Sequence, residues 1–181
     1  GSVMPVEIHA RIIDLEEGRL VLSVARDITD RKRAEAEVKL NEARLASLLK
    51  ISQHPSTSIQ ELLDYALDEA SALTASQSGY IYFYDEATQK FTLNTWSKDV
   101  MQQCSIPEPQ TIYDLEKTGF WGEAVRQAGP IVVNDFQKPH PLKKGYPQGH
   151  AKLDRFLTIP VFFEGRIVAV AAVANKLSDY S

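Results

Sequence analysis

The sequence predicts an α+β fold, an antiparallel sheet with flanking helices, preceded by a lone β-hairpin and a long helix. Three observations lead there. Strand-like runs come in neighbouring pairs joined by short turns, the pattern of antiparallel hairpins. The helical runs stand apart from those pairs instead of alternating with single strands. Residues 57–181 also form a stretch long enough to bury a core of their own.

The first element reads as a hairpin. Val6, Ile8, Ala10 and Ile12 alternate with Glu7, His9 and Arg11, the two-residue period of a half-buried strand. Glu16, Glu17 and Gly18 supply a turn, and residues 19–25 return as the second strand. Two strands alone are marginal in water, so the piece reads as the tail of a larger domain. Its apolar face is expected to be buried on a neighbouring chain or on the following sheet.

A helical run then extends to about Gln53 without Gly or Pro, with Thr29 or Asp30 placed to cap its start. Ala34, Val38, Leu45 and Leu48 share one seam, and Asn41 occupies the intervening position. That heptad stripe, flanked by charges, predicts pairing with a second copy; packing on its own domain is the alternative.

His54 and Pro55 break the run. Ser58 and Glu61 form a capping box, and Ile59, Leu62, Leu63, Ala66, Leu67, Ala70 and Leu73 follow amphipathic helical spacing. Strands are expected at 80–84 and 91–96 around a turn at 85–90, then an irregular stretch from 97 to 118. Trp121, Ala124, Val125 and Ala128 mark a short helix stopped by Gly129 and Pro130. A strand at 130–134 precedes a Pro-, Lys-, Gly- and His-rich loop over about 137–151. Two long strands, 155–163 and 166–173, turn at Glu164-Gly165.

Composition narrows the function. With 44% hydrophobic and 24% charged residues the chain is not disordered throughout. No apolar run approaches the ~18 residues that span a bilayer. A single cysteine, Cys104, excludes an internal disulfide framework and a thiolate metal cluster, and fits a reducing, cytoplasmic setting. The net charge of −4 is uneven: residues 57–136 carry −8 and residues 137–155 carry +4. An acidic chain with one short basic island lacks the basic face that nucleic acid needs, though the island can hold one anionic group.

Residues 24–35, Val-Ala-Arg-Asp-Ile-Thr-Asp-Arg-Lys-Arg-Ala-Glu, resemble the end of a PAS sensor domain, whose last strand runs through Asp-Ile-Thr into a signalling helix. The remainder is similar to a GAF domain. The resemblance rests on Gly-Phe-Trp-Gly-Glu-Ala-Val-Arg-Gln at 119–127, Ile-Val-Val-Asn-Asp at 131–135 and Pro-Leu-Lys-Lys-Gly-Tyr-Pro-Gln-Gly-His at 141–150. Arg-Phe-Leu-Thr-Ile-Pro-Val at 155–161 and Ala-Ala-Val-Ala-Asn-Lys at 171–176 complete it. It implies a PAS hairpin remnant at 1–28, a signalling or coiled-coil linker helix at 29–56, and a GAF-like domain at 57–181. Such domains occur in bacterial and archaeal multidomain sensors beside histidine kinase or cyclic-di-GMP output domains. The resemblance further implies a long C-terminal helix and an output domain beyond Ser181.

No G-x-S-x-G, H-E-x-x-H, P-loop or G-x-G-x-x-G motif is present, so no enzymatic activity is read for this chain. Some GAF-like proteins reduce methionine sulfoxide, but one cysteine cannot resolve its own sulfenic acid. Others attach a bilin at a cysteine followed by His; here Ser105 follows Cys104, which reads as a loop or core cysteine. His9 and His54 lack partners at ligand spacing, and neither metal nor cofactor is expected.

The loop from His140 to Arg155 carries the densest signal. Lys143, Lys144, His150, Lys152 and Arg155 can present donors to an anion, and Tyr146 can stack or hydrogen-bond. The competing reading is a solvated lid. The GAF resemblance places Trp121, Asn134 and Asp135 near the pocket rim, although Trp121 also reads as core and Asp135 as a turn former. The ligand-binding set is therefore Trp121, Asn134, Asp135, Lys144, Tyr146, His150 and Arg155. Tyr80, Tyr82 and Tyr84 read as core residues whose hydroxyls point to a polar cavity.

The expected function is a cytoplasmic sensory module of a signal-transduction protein. It would bind a small ligand in the GAF pocket, form a homodimer through helices, and signal to an output domain, foremost a histidine kinase. The alternative is a ligand-free GAF domain serving as a structural dimerisation spacer. Polar groups converging on an enclosed cavity favour the first; a cavity filled by Trp and Phe favours the second.

Overall fold

The computed structural model describes residues 3–16, 18–97, 111–144 and 152–180. The chain divides into two compact units, Gly1–Ala46 and Ser47–Ser181, with the boundary inside a helix.

The first unit opens with strands β1 (Val6–Leu15) and β2 (Gly18–Asp27), antiparallel from Val6 opposite Asp27 to Leu15 opposite Gly18. This register pairs even residues of one strand with odd residues of the other. Ile8 and Ile12 therefore share a face with Ala25 and Val21, while Leu20, Leu22 and Val24 emerge on the opposite face with Ile13. The hairpin has two apolar faces where the sequence pattern indicated one, and both are exposed; Ile8 and Ile12 are each 63% accessible.

Helix α1 (Thr29–Gln53) follows. Its cap is neither Thr29 nor Asp30. The Asp27 carboxylate accepts from Thr29 N–H at 2.8 Å and Thr29 Oγ1 at 2.6 Å, bonds that hold its pKa below the usual carboxylate value. Arg31 donates to Glu7 at 2.8 Å and ties the helix start to β1. No side chain of α1 is buried, and Val38, Leu45 and Leu48 of the seam are all exposed.

In the second unit α2 (Ile59–Thr74) begins at the expected cap, with Ser58 Oγ accepting from Glu61 N–H at 3.2 Å. Glu61 reaches back to Thr57, one residue earlier than the standard box, accepting its N–H at 2.7 Å and its hydroxyl at 2.8 Å. The strands are β3 (Ser78–Asp85), β4 (Lys90–Trp96), β5 (Ile112–Asp114), β6 (Ile131–Val133), β7 (Phe156–Phe163) and β8 (Arg166–Ala174). Their order is β5-β4-β3-β8-β7-β6, with every neighbouring pair antiparallel. The β7–β8 turn has Glu164 and Gly165 at φ 49° and 77°, the backbone of a tight primed turn.

The stretch 97–118 is not wholly irregular. It contains β5 and a 3₁₀ turn, Leu115–Lys117, because Leu93 N–H donates to Thr111 O and Leu115 N–H to Gln89 O. Three residues are too few to show a period, so pairing with β4 decides this element. Helix α3 (Phe120–Arg126) then crosses the sheet.

Strand alternation sorts the core into two layers. Leu67 of α2 packs on Ile81 and Ala169 on one face. On the other face Tyr82, Tyr84, Phe91 and Val170 meet Ala124 of α3, and Phe120, Phe136 and Phe156 gather over Ala172 and Ala174. Strand β8 serves both layers, since its alanines let helices approach from each side.

Candidate ligand site

Between the sheet and α3 one row of side chains differs from the rest of the core. Strand pairing sets Trp96, Tyr80, Ala172, Thr158 and Ile131 side by side across β4, β3, β8, β7 and β6. Residues directly opposite in antiparallel strands share a face, so all five point toward α3. Tyr80 and Thr158 lie two strands apart, roughly 10 Å between backbones. The short Ala172 between them leaves room for the phenol to lie across β8 toward the threonine.

Two polar atoms meet there without satisfaction. The Tyr80 hydroxyl and Thr158 Oγ1 are both buried and close no hydrogen bond, although they lie near enough to interact. Thr158 is 0% exposed. Burial holds the Tyr80 phenol protonated, well above its ordinary range, and Tyr82 is raised in the same way, with Tyr113 beside it adding to the effect.

Trp121 forms the wall above. Its ring centroid lies 4.6 Å from Phe91, 5.1 Å from Tyr82, 5.4 Å from Tyr113 and 6.2 Å from Tyr80, while Phe156 stands 6.3 Å from Tyr80. The surroundings are apolar, chiefly aromatic rings with alanines, Val170 and Ile131.

The described part of the loop, residues 137–144, docks on the start of α3. His140 lies 4.7 Å from the Phe120 ring, and its Nδ1 accepts from Leu142 N–H at 3.1 Å. Lys143 sits over Phe136 at 5.2 Å, and Lys144 Nζ donates to Glu116 O at 3.1 Å. Beneath it, a Cβ on Gly119 would collide with the backbone of Leu142 and Lys144.

The expected site residues separate accordingly. Trp121 joins the Tyr80–Thr158 row. Asn134 and Arg155 instead hold the C-terminal segment: Asn134 bonds Tyr180, and Arg155 Nε donates to Asp179 at 2.9 Å. Asp135 closes a turn with Lys138 at 3.0 Å, and that contact lowers its pKa. Lys144 is bound to Glu116, outside the row. Tyr146, His150 and Cys104 lie outside the described residues. The basic groups described in the island do not converge on one point, since Lys138, Lys143, Lys144, Lys152 and Arg155 each have a different partner.

Thr158 and Phe156 were not singled out from the sequence. The available signal was a hydroxyl in an inward position of Phe-Leu-Thr-Ile-Pro-Val, where strand alternation calls for an apolar side chain. Among the described residues no group of three or more His, Cys, Asp or Glu is placed to hold a metal ion.

A GAF domain family model matches residues 56–181. The chain belongs to the GAF family. Over 180 residues it is 47% identical to the methyl sulfide methyltransferase-associated sensor of Methanosarcina acetivorans, which covers 99% of this chain. The chain spans only 18% of that relative's length. The GAF domain of an Acinetobacter phosphoenolpyruvate-protein phosphotransferase superposes with a TM-score of 0.60 at 19% identity, over 79% of this chain and 81% of that one. Its counterpart from Coxiella burnetii gives 0.62 at 14% identity, over 78% and 81%. At these identities the superpositions establish the GAF fold: a six-stranded antiparallel sheet with helices on both faces. No helix among the described residues is long and apolar enough to cross a membrane.

Proposed function

We propose that this chain is the sensory segment of a larger cytoplasmic signalling protein. Its GAF domain takes a small ligand between the sheet and α3, after the end of a PAS domain. It pairs with a second copy through α1 and passes the signal to an output domain of the histidine kinase type. The GAF family and a relative named as a sensor support the sensory reading. The segment itself carries out no catalytic step in this reading.

The observation that carries ligand binding is the pair of unsatisfied hydroxyls on Tyr80 and Thr158. A buried polar group without a partner costs on the order of 1–3 kcal/mol, so a core selected for stability alone would replace both. A ligand acts as a signal only by differential affinity for two arrangements. Here the site wall and the loop share α3, and the residues after the loop, 152–155, hydrogen-bond to segment 175–180.

One observation favours the second reading, a ligand-free dimerisation spacer: Trp121 already contacts four aromatic rings between the sheet and α3. Native mass spectrometry of the purified chain, with a denatured control, decides between them. The sensor predicts an adduct lost on denaturation; a homogeneous unliganded mass supports the spacer.

A further inference from the structure

The ligand-sensing reading leaves the ligand's chemistry open, and the row across β3, β8 and β7 narrows it. Two hydroxyls from different strands converge over Ala172. Tyr80 stays protonated, so its O–H is available as a donor throughout the physiological range. Threonine supplies a second O–H that rotates to suit its partner. Two converging donors fit one oxygen with two lone pairs.

A carboxylate or phosphate oxygen also has lone pairs, but a buried anion needs a compensating cation. Among the described residues none stands there. Lys143 lies on Phe136, Lys144 on Glu116 O, Lys152 on Asp154 and Arg155 on Asp179. Among the described residues the walls include Trp121, Phe156, Ala172 and Ile131, which suit an apolar body.

We propose that Tyr80 and Thr158 together grip the oxygen of a small uncharged carbonyl compound, and that Lys143, Lys144, Lys152 and Arg155, each engaged elsewhere, do not hold it. The ligand class is a neutral molecule with one accepting oxygen and an apolar remainder. This rests on the ligand-sensing reading and goes beyond it in naming the class and the two anchors. It also replaces the anion that the basic island suggested.

The test is a thermal-shift titration of the full 181-residue chain. The probes are cyclopentanone, cyclohexanone and acetophenone, set against cyclopentanecarboxylate, cyclohexanecarboxylate and benzoate. At least one ketone is expected to raise Tm by about 4 °C near saturation, while the carboxylates leave it unchanged. Tyr80→Phe and Thr158→Val are near-isosteric, and each is expected to weaken ketone binding about tenfold through one lost hydrogen bond. Without ligand both variants should keep or exceed the parent Tm, because each removes an unsatisfied buried group.

A carboxylate response equal to the ketone response overturns the proposal. So does a ketone response that survives in the double variant, or no shift with any ketone. A lower Tm in both unliganded variants overturns it as well, since the hydroxyls would then be structural. These results leave the sensing reading standing wherever native mass spectrometry finds an adduct; the absence of both adduct and response removes the two together.

Discussion

The side-chain amide of Asn134 and the backbone of Tyr180 exchange two hydrogen bonds. Asn134 Nδ2 donates to the Tyr180 carbonyl at 3.0 Å, and Tyr180 N–H donates to Asn134 Oδ1 at 2.8 Å. The asparagine thus imitates a neighbouring strand at the end of β6. The Tyr180 ring is buried, and its hydroxyl pairs with Ser76 Oγ at 2.7 Å just after α2. Asn175 adds a second clasp, accepting from Asp154 N–H at 2.9 Å and donating to Lys152 O at 2.8 Å. Segment 175–180 is therefore fastened to the residue after β6, to residues 152–155 just before β7 and to the end of α2.

Asn134→Ala removes both bonds to Tyr180 and leaves partly buried backbone groups unpaired. The expected loss is about 1–3 kcal/mol in urea unfolding, with faster amide exchange at Tyr180. Asn134→Asp keeps the acceptor and loses the donor, so it should fall between parent and alanine variant. Equal exchange at Tyr180 in all three proteins would contradict the clasp.

Gly119 is required for close approach, because the backbone of Leu142 and Lys144 passes where a Cβ would stand. Gly119→Ala inserts a methyl where the backbone of Leu142 and Lys144 passes. The loop should lift while the sheet stays intact. Trypsin is expected to cut after Lys143 or Lys144 several times faster in this variant, with global Tm lowered by a few degrees at most. A large Tm loss without faster cleavage would place the strain in α3 instead.

Legibility in the sequence followed the range of the forces involved. The α2 start was readable because a capping box is a contact over a few residues, although the shortest bonds of Glu61 fall on Thr57. The β7–β8 turn was readable from Glu164-Gly165. The hairpin's second apolar face was hidden because β2 has no polar alternation, and only the register with β1 says which way Leu20 and Leu22 point. β5 was invisible since its pairing with β4 is set by tertiary packing. At the candidate site Trp121 was readable from its helix, but the Tyr80–Thr158 relation joins residues 78 positions apart in sequence and depends on an alanine on a third strand. The basic loop drew attention because charge is conspicuous in sequence, whereas each cation's actual partner is set by the fold.

Tyr80 and Tyr82 also set an alkaline limit on stability. Burial raises both phenols above the ordinary tyrosine value of about 10, so the folded state keeps two protons that the unfolded chain releases. The folded pKa values lie above the unfolded ones; the associated stability is fully present below pH 10 and declines as pH rises beyond it. Tm should be flat with respect to these groups from pH 8 to about 9.5 and fall above 10. Tyr80→Phe should make that alkaline fall shallower, and phenolate absorbance should appear with unfolding instead of preceding it. Full phenolate absorbance from a folded protein would contradict the buried placement.

The seam of α1 makes the remaining prediction. A 25-residue helix with no fully buried side chain relies largely on its cap and side-chain pairs, such as Lys32 with Glu35 at 3.1 Å. Surface pairs of this kind contribute a few tenths of a kcal/mol each, and most helical stability comes from packing an apolar face. Val38, Leu45 and Leu48 remain exposed in the single chain, Leu45 at 67%. Covering each leucine by a partner copy would contribute roughly 1.5–3 kcal/mol, twice over in a symmetric pair. Sedimentation should show a concentration-dependent dimer, and Leu45→Lys should weaken it by about a hundredfold or more. Asn41→Leu should tighten association but broaden it to other registers or oligomers, since a polar seam residue trades stability for register. If parent and Leu45→Lys sediment alike, the seam is not the dimer interface, and Asn41 loses its assigned role with it.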